Sequence, residues 1–135
     1  MNAHRNQPNP ARPEHKFGPF FTNEGALNLD WVGEKAMRTS ADICNARHGL
    51  TSTGLRNFYN EFLRIRDLPA SHTAEKIVLI KLLVAKVQYK KTTGKVPDIF
   101  AHFIEQLVTE IGESIDRFEK SCLIMEALVG FNPKK

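Results

Sequence analysis

Apolar residues along this chain recur at helical spacing from about residue 30 to the end, and nowhere alternate as a strand would. A first helix is predicted over about Asp30–Cys44, with Trp31, Val32, Met37, Ala41 and Cys44 on its apolar face and Asn28 or Asp30 as its cap. Gly49 breaks the pattern. Thr51 or Ser52 then opens a second helix, about 53–67, whose apolar side carries Leu55, Phe58, Tyr59, Phe62, Leu63 and Ile65. Pro69 ends it. The third, about 73–93, is apolar on most sides, from Ile77 through Val87, so its expected place is the middle of a bundle.

Gly94 closes the third helix, and Pro97 suits the first position of a fourth. That fourth helix has a clean stripe of Ile99, Phe100, Phe103, Ile104, Leu107, Val108 and Ile111. Gly112 bends or ends it, and a fifth follows over about 114–130 with Ile115, Phe118, Cys122, Met125, Leu128 and Val129. The fold class is therefore all-α, a compact bundle of about five helices. Residues 1–25 hold four of the seven prolines and lack helical periodicity, which predicts an extended or disordered arm ahead of a helical-bundle domain at 26–135. Phe17, Phe20 and Phe21 stand out in that arm as residues that dock on the body or on a partner.

Composition narrows the class. At 135 residues the chain makes one domain, and its 41% hydrophobic and 25% charged content is that of an ordinary soluble protein. The longest apolar run is interrupted by Lys81 and Lys86, and the polar N-terminus has no secretory signature, so a cytoplasmic protein without membrane contact is expected. Cys44 and Cys122 each sit in an apolar helical pattern, as buried reduced thiols do.

Charge is unevenly placed. Residues 51–95 carry nine lysines and arginines against Glu61, Asp67 and Glu75, whereas residues 96–135 carry four against seven acids. The formal net charge of +4 hides this division. A cationic middle suits a polyanion and an acidic end suits a protein neighbour; solvated helix faces are the plain alternative.

Catalytic patterns are missing. The histidines (4, 15, 48, 72, 102) show no ligand spacing with one another or with either cysteine, so no metal or cofactor is expected. Glu105, Glu110 and Glu113 do not pair on one helix face. The segment KKTTGK (90–95) resembles a phosphate loop only superficially, lacking the preceding strand and the glycine spacing. What remains is basic. Arg56, Asn60 and Arg64 line one flank of the second helix. On the third, Lys81 and Lys91 lie along one edge with Gln88, while Lys86 and Lys90 lie along another with Lys76. Arginine forks hold phosphate oxygens, Asn57 or Asn60 can bond sugar or base edges, and Tyr59, Tyr89 or Phe21 could stack a base.

Two segments carry a family resemblance. LTSTGLRNFYNEFLRIRD (50–67) resembles the "LT…LRNFYN" helix of the small subunit of type III-A CRISPR effector complexes, and RFEKSCLIMEALVGF (117–131) is similar to that family's "MEALVA-aromatic" end. Gly130 stands where alanine is expected and Phe131 where tyrosine is common. The resemblance extends over about 27–131 and implies a non-catalytic RNA-binding subunit in antiviral defence. It implies that several copies stack beside the repeated backbone subunit and the large subunit and contact guide and target RNA, with a homodimer one form in isolation. It also implies that Arg56, the arginine of "LRN", sits at the RNA groove. Two other readings compete: a homo-oligomeric scaffold with protein-only contacts, and a helical DNA-binding regulator.

Overall fold

The computed structural model describes residues 17–133. Five α-helices run as α1 (Glu34–Asn45), α2 (Ser52–Arg66), α3 (Thr73–Thr92), α4 (Asp98–Ile111) and α5 (Ile115–Phe131), with 3₁₀ turns at Leu29–Val32 and Ala70–His72. Among the described residues the extended backbone amounts to one isolated bridge, Phe21 to Leu27. Thr51 is in place as the expected cap, its Oγ1 accepting from the Gly54 amide, and at α5, for which no cap was expected, Ser114 Oγ accepts from the Arg117 amide. Pro97 precedes α4 as its N-cap instead of opening it. Trp31 and Val32 belong to the 3₁₀ turn, which makes the first helix shorter than its apolar pattern suggested.

The bundle is centred on α5, not on α3. Helix α5 packs against α1, α2, α3 and α4 and against the Leu29–Val32 turn. Phe118, Ile124, Met125 and Leu128 are fully enclosed there. Helix α3 lies at the rim against α4 and, more lightly, α2, and buries only Lys76, Ile80, Leu83 and Val87. Its apolar excess therefore faces solvent, with Val78 and Leu82 exposed. Helix α1 corrects a second expectation. Met37 points outward, and the buried side consists of Ala36, Thr39, Ser40, Ile43 and Cys44. These mostly small residues let α1 approach α5 closely enough for Ser40 Oγ to donate to the Leu128 carbonyl at 2.7 Å.

The expected arm of residues 1–25 divides. Residues 1–16 lie outside the described part of the chain, whereas 17–25 are packed on the body. Phe17, Phe20 and Phe21 are buried, the first two against Trp31 and Phe103 at ring separations of 4.7–6.2 Å. Polar contacts from α4 secure this strap: Gln106 accepts from the Phe17 amide and Glu110 from the Phe20 amide, each at 2.8 Å. At Gly18 the Glu110 carboxylate fills the space a Cβ would take, so a larger residue there would push that carboxylate aside. Three phenylalanines in five residues bury enough surface to offset the ordering cost of a short segment.

Candidate nucleic-acid interface

Three adjoining hollows form one groove where the α1–α2 connection, the first half of α2 and the end of α3 converge. The central hollow, about 460 Å³, is lined by His48, Thr53, Asn57, Phe58, Lys90 and Lys95 among others. It shares His48, Gly94 and Val96 with a hollow of about 390 Å³ that adds Arg47 and Lys91. It shares Asn57, Phe58 and Lys90 with a third, about 350 Å³, that adds Glu61 and Lys86. Arg47, Lys86, Lys90, Lys91 and Lys95 thus stand against only two carboxylates, Glu61 and Asp98.

Local backbone chemistry builds this track. Gly94, at φ +77°, ends α3 with paired bonds, the Lys95 amide to the Lys90 carbonyl (2.8 Å) and the Gly94 amide to that of Lys91 (3.0 Å). That reversal folds Lys95 back beside Lys90. Gly49 is equally constrained, since a Cβ there would collide with the Cys44 and Ala46 carbonyls closing α1. His48 takes φ +58° in the same turn. The start of α2 also faces the groove; its first turn carries no acid, so its free amides add positive potential. The lysines at the end of α3 favour that helix's dipole as well, which accounts for their placement without a ligand.

The sequence-predicted residues separate on this surface. Lys86, Lys90 and Lys91 line the groove. Arg56, Asn60 and Arg64 are exposed on α2 but outside the lining, because the Asn57–Glu61 side of that helix is the one turned to α3. Lys81 is exposed elsewhere on α3. Arg56 makes no ion pair among the described residues. Arg64 is held by Glu61 at 2.8 Å, and Lys86 reaches the same carboxylate at 2.8 Å. Burial would raise the Glu61 pKa, but hydrogen bonds from Lys86 and Arg64 and their charges outweigh it and hold the carboxyl below its ordinary value.

Lys76, placed with Lys86 and Lys90 on sequence spacing, is withdrawn from the basic edge. It is 5% exposed, and its Nζ donates to the Arg66 carbonyl at 3.0 Å, capping the end of α2. Phe21 is buried beneath the Arg117 guanidinium (5.3 Å) and offers no stacking face, whereas Tyr89 is exposed. Arg47 was not singled out in the sequence and His48 was weighed there only as a metal ligand; the turn signal at Gly49 beside these two residues was the available clue. Among the described residues no group of His, Cys, Asp or Glu could hold a metal ion, and no helix is long and apolar enough to cross a membrane.

A family model described as Csm2 type III-A matches residues 28–132. The chain belongs to this Csm2 family. It is thus a small subunit of type III-A CRISPR effector complexes, a structural family within that assembly. Comparisons with curated proteins and with solved structures return no match. The matched span begins at Asn28, so the Phe17–Leu27 strap lies outside the Csm2 match although it completes the core of this chain.

Proposed function

We propose that this Csm2-family subunit is a non-catalytic RNA-binding element that contacts guide and target RNA through the groove between α2 and the end of α3. Copies of the chain stack beside the backbone and large subunits in antiviral defence. The observation that supports this reading is the continuity of the three hollows, with Arg47, Lys86, Lys90, Lys91 and Lys95 spaced along one track. A chain of separated phosphates is the ligand such spacing suits. The lining has few groups able to read base edges, Asn57 chief among them, which fits recognition independent of sequence. Arg56 and Asn60 take part when the strand climbs over the outer face of α2, and Lys81 belongs to a separate contact.

The test is fluorescence anisotropy of unrelated labelled RNAs with the full chain over a salt series. Each lysine lost from the groove lowers the slope of log K against log salt by about 0.7 on single strands. Lys90→Ala with Lys95→Ala should therefore flatten it by about 1.4, equally for every sequence, with helical circular dichroism unchanged. Arg56→Ala alone should change it by less. A folded double variant that binds like the parent refutes the groove assignment, and absence of RNA binding by the parent at low salt favours the protein-only scaffold.

A further inference from the structure

The outer side of α3 sets an apolar row beside the cationic groove. Leu82, Ala85 and Tyr89 follow one another there at helical spacing, away from the buried Ile80, Leu83 and Val87. Tyr89 is 70% exposed, and Leu82 is exposed as well. The neighbouring row is the groove's own edge. Lys86 stands one turn before Tyr89 and Lys90 directly after it, and both line the hollow that Asn57 and Glu61 complete. Other charges bound the surface. Glu75, at the start of α3 and 4.0 Å from the His72 ring, precedes Val78 by one turn and would repel a phosphate. Lys81 stands on the edge of the row turned away from the groove. The usable stretch therefore runs from Leu82 to Tyr89, about 10 Å of helix. Of the three aromatics considered as stacking faces, Tyr89 alone remains. Phe21 is buried beneath Arg117, and Tyr59 is half-buried against the core with Glu126 beside its hydroxyl.

We infer that this outer row of α3 is a stacking platform for unpaired bases, with Tyr89 as its principal ring, so that the groove selects single-stranded RNA over duplex. This rests on the reading of the groove as an RNA site and says which form of RNA it takes. Bases in a duplex stack on one another and present only edges and backbone, so an exposed aromatic face gains nothing from them. A single strand is different. With its phosphates at Lys86 and Lys90, one turn or about 6 Å apart, its bases are free to turn outwards over α3. There Tyr89, and beyond it Leu82, offer apolar surface. Stacking asks only for a π-face and tolerates any sequence, in keeping with a groove that has few groups able to read base edges.

Fluorescence anisotropy with the full chain tests this on labelled probes: a single-stranded RNA free of self-pairing, the same strand annealed to its complement, and an abasic strand of equal length. Parent protein should prefer the single strand to both others. Tyr89→Ala, at an exposed position that leaves the core intact, should weaken single-strand binding at least about fivefold and shrink that preference by the same factor. The salt slope should stay as it is, because no phosphate contact is lost. Tyr89→Phe keeps the ring and should restore single-strand affinity to within about twofold of the parent. A parent that binds duplex at least as tightly, or a folded Tyr89→Ala protein that binds the single strand like the parent, overturns the assignment. So does an equal loss on the abasic strand, or a Tyr89→Phe protein as weak as Tyr89→Ala, since a hydroxyl contact would then be responsible. If Tyr89→Ala lowers the sedimenting mass and leaves RNA binding untouched, the face belongs to a protein contact and the platform is lost. Lys90→Ala with Lys95→Ala keeps the two readings apart. Weaker binding by Tyr89→Ala but not by the lysine pair would sink the groove track alone, and the reverse would sink the platform alone.

Discussion

Glu61 restrains the basic groove, and removing its charge should strengthen RNA binding. Its carboxylate holds Lys86 at 2.8 Å and Arg64 at 2.8 Å, so two cations beside the track are neutralised within the protein. Glu61→Gln keeps the side-chain length and an acceptor oxygen but releases both charges. Each cation that then meets a phosphate on a single strand adds about 0.7 to the salt slope. At a salt concentration of about 0.1 M, the same relation makes each new contact worth about fivefold in affinity. Full engagement of both gives roughly twenty-fivefold and a slope steeper by about 1.4. The stability cost is small, because both pairs are partly solvated; about 0.5–1 kcal/mol for the two together is expected. Anisotropy across a salt series reads the first quantity and urea denaturation the second. A folded Glu61→Gln protein with unchanged or weaker RNA binding would show that Lys86 and Arg64 face no phosphate, and the hollow lined by Asn57, Glu61 and Lys86 would have to be dropped from the groove. The pH dependence has a definite sign. The folded Glu61 pKa lies below its ordinary value, so the ion pairs stabilise the fold above the ordinary carboxylate range and cease to do so as pH falls through the folded value.

Three other substitutions or titrations follow from the packing. Lys76→Ala removes the cap on α2 and exposes the Arg66 carbonyl, so urea denaturation should show a loss of about 1–2 kcal/mol while RNA affinity stays within twofold or so of the parent. Equal loss of RNA binding would return Lys76 to the cationic edge. Gly18→Ala places a methyl group where the Glu110 carboxylate sits; displacing that carboxylate strands the Phe20 amide, and a cost of about 1–3 kcal/mol with faster hydrogen exchange across 17–27 is expected. Protection unchanged in that segment would mean the strap is held by its rings alone. Burial pushes the Cys122 thiol up to about 12, so the folded state keeps its proton after the unfolded chain has lost it. Stability should therefore decline as pH rises from about 9 towards 12, and a thiol reagent at pH 8 should label Cys122 only on unfolding. Rapid labelling of the native protein would contradict that burial.

The all-α class, the five helices to within a few residues and the Thr51 cap were readable before any tertiary structure, because each depends on residues within a turn or two of one another. Thr51 over Gly54 and Gly94 after α3 are local hydrogen-bond arrangements. The family segments were readable for the same reason: LRNFYN and MEALV are contiguous strings on α2 and α5. The candidate site was half visible. Lys86, Lys90 and Lys91 stood out on one helix, but Arg47 and His48 come from a different loop, and no periodicity links a loop to a helix.

By itself, then, the sequence determined that this chain is a set of amphipathic helices with a cationic middle and an acidic end. Only the tertiary structure decided which apolar faces find partners. Helix α3 carries apolar residues on most of its sides, yet α5 takes the centre, where Ser40, Ala36 and Ser121 are small enough to let neighbouring helices close upon it. The same packing chose among the basic residues, burying Lys76 as a helix cap and turning the Asn57 side of α2, not the Arg56 side, towards the lysines of α3. Charge pattern is a property of the chain, but a groove exists only where two elements meet, and their meeting is set by volume and close approach that no single segment encodes.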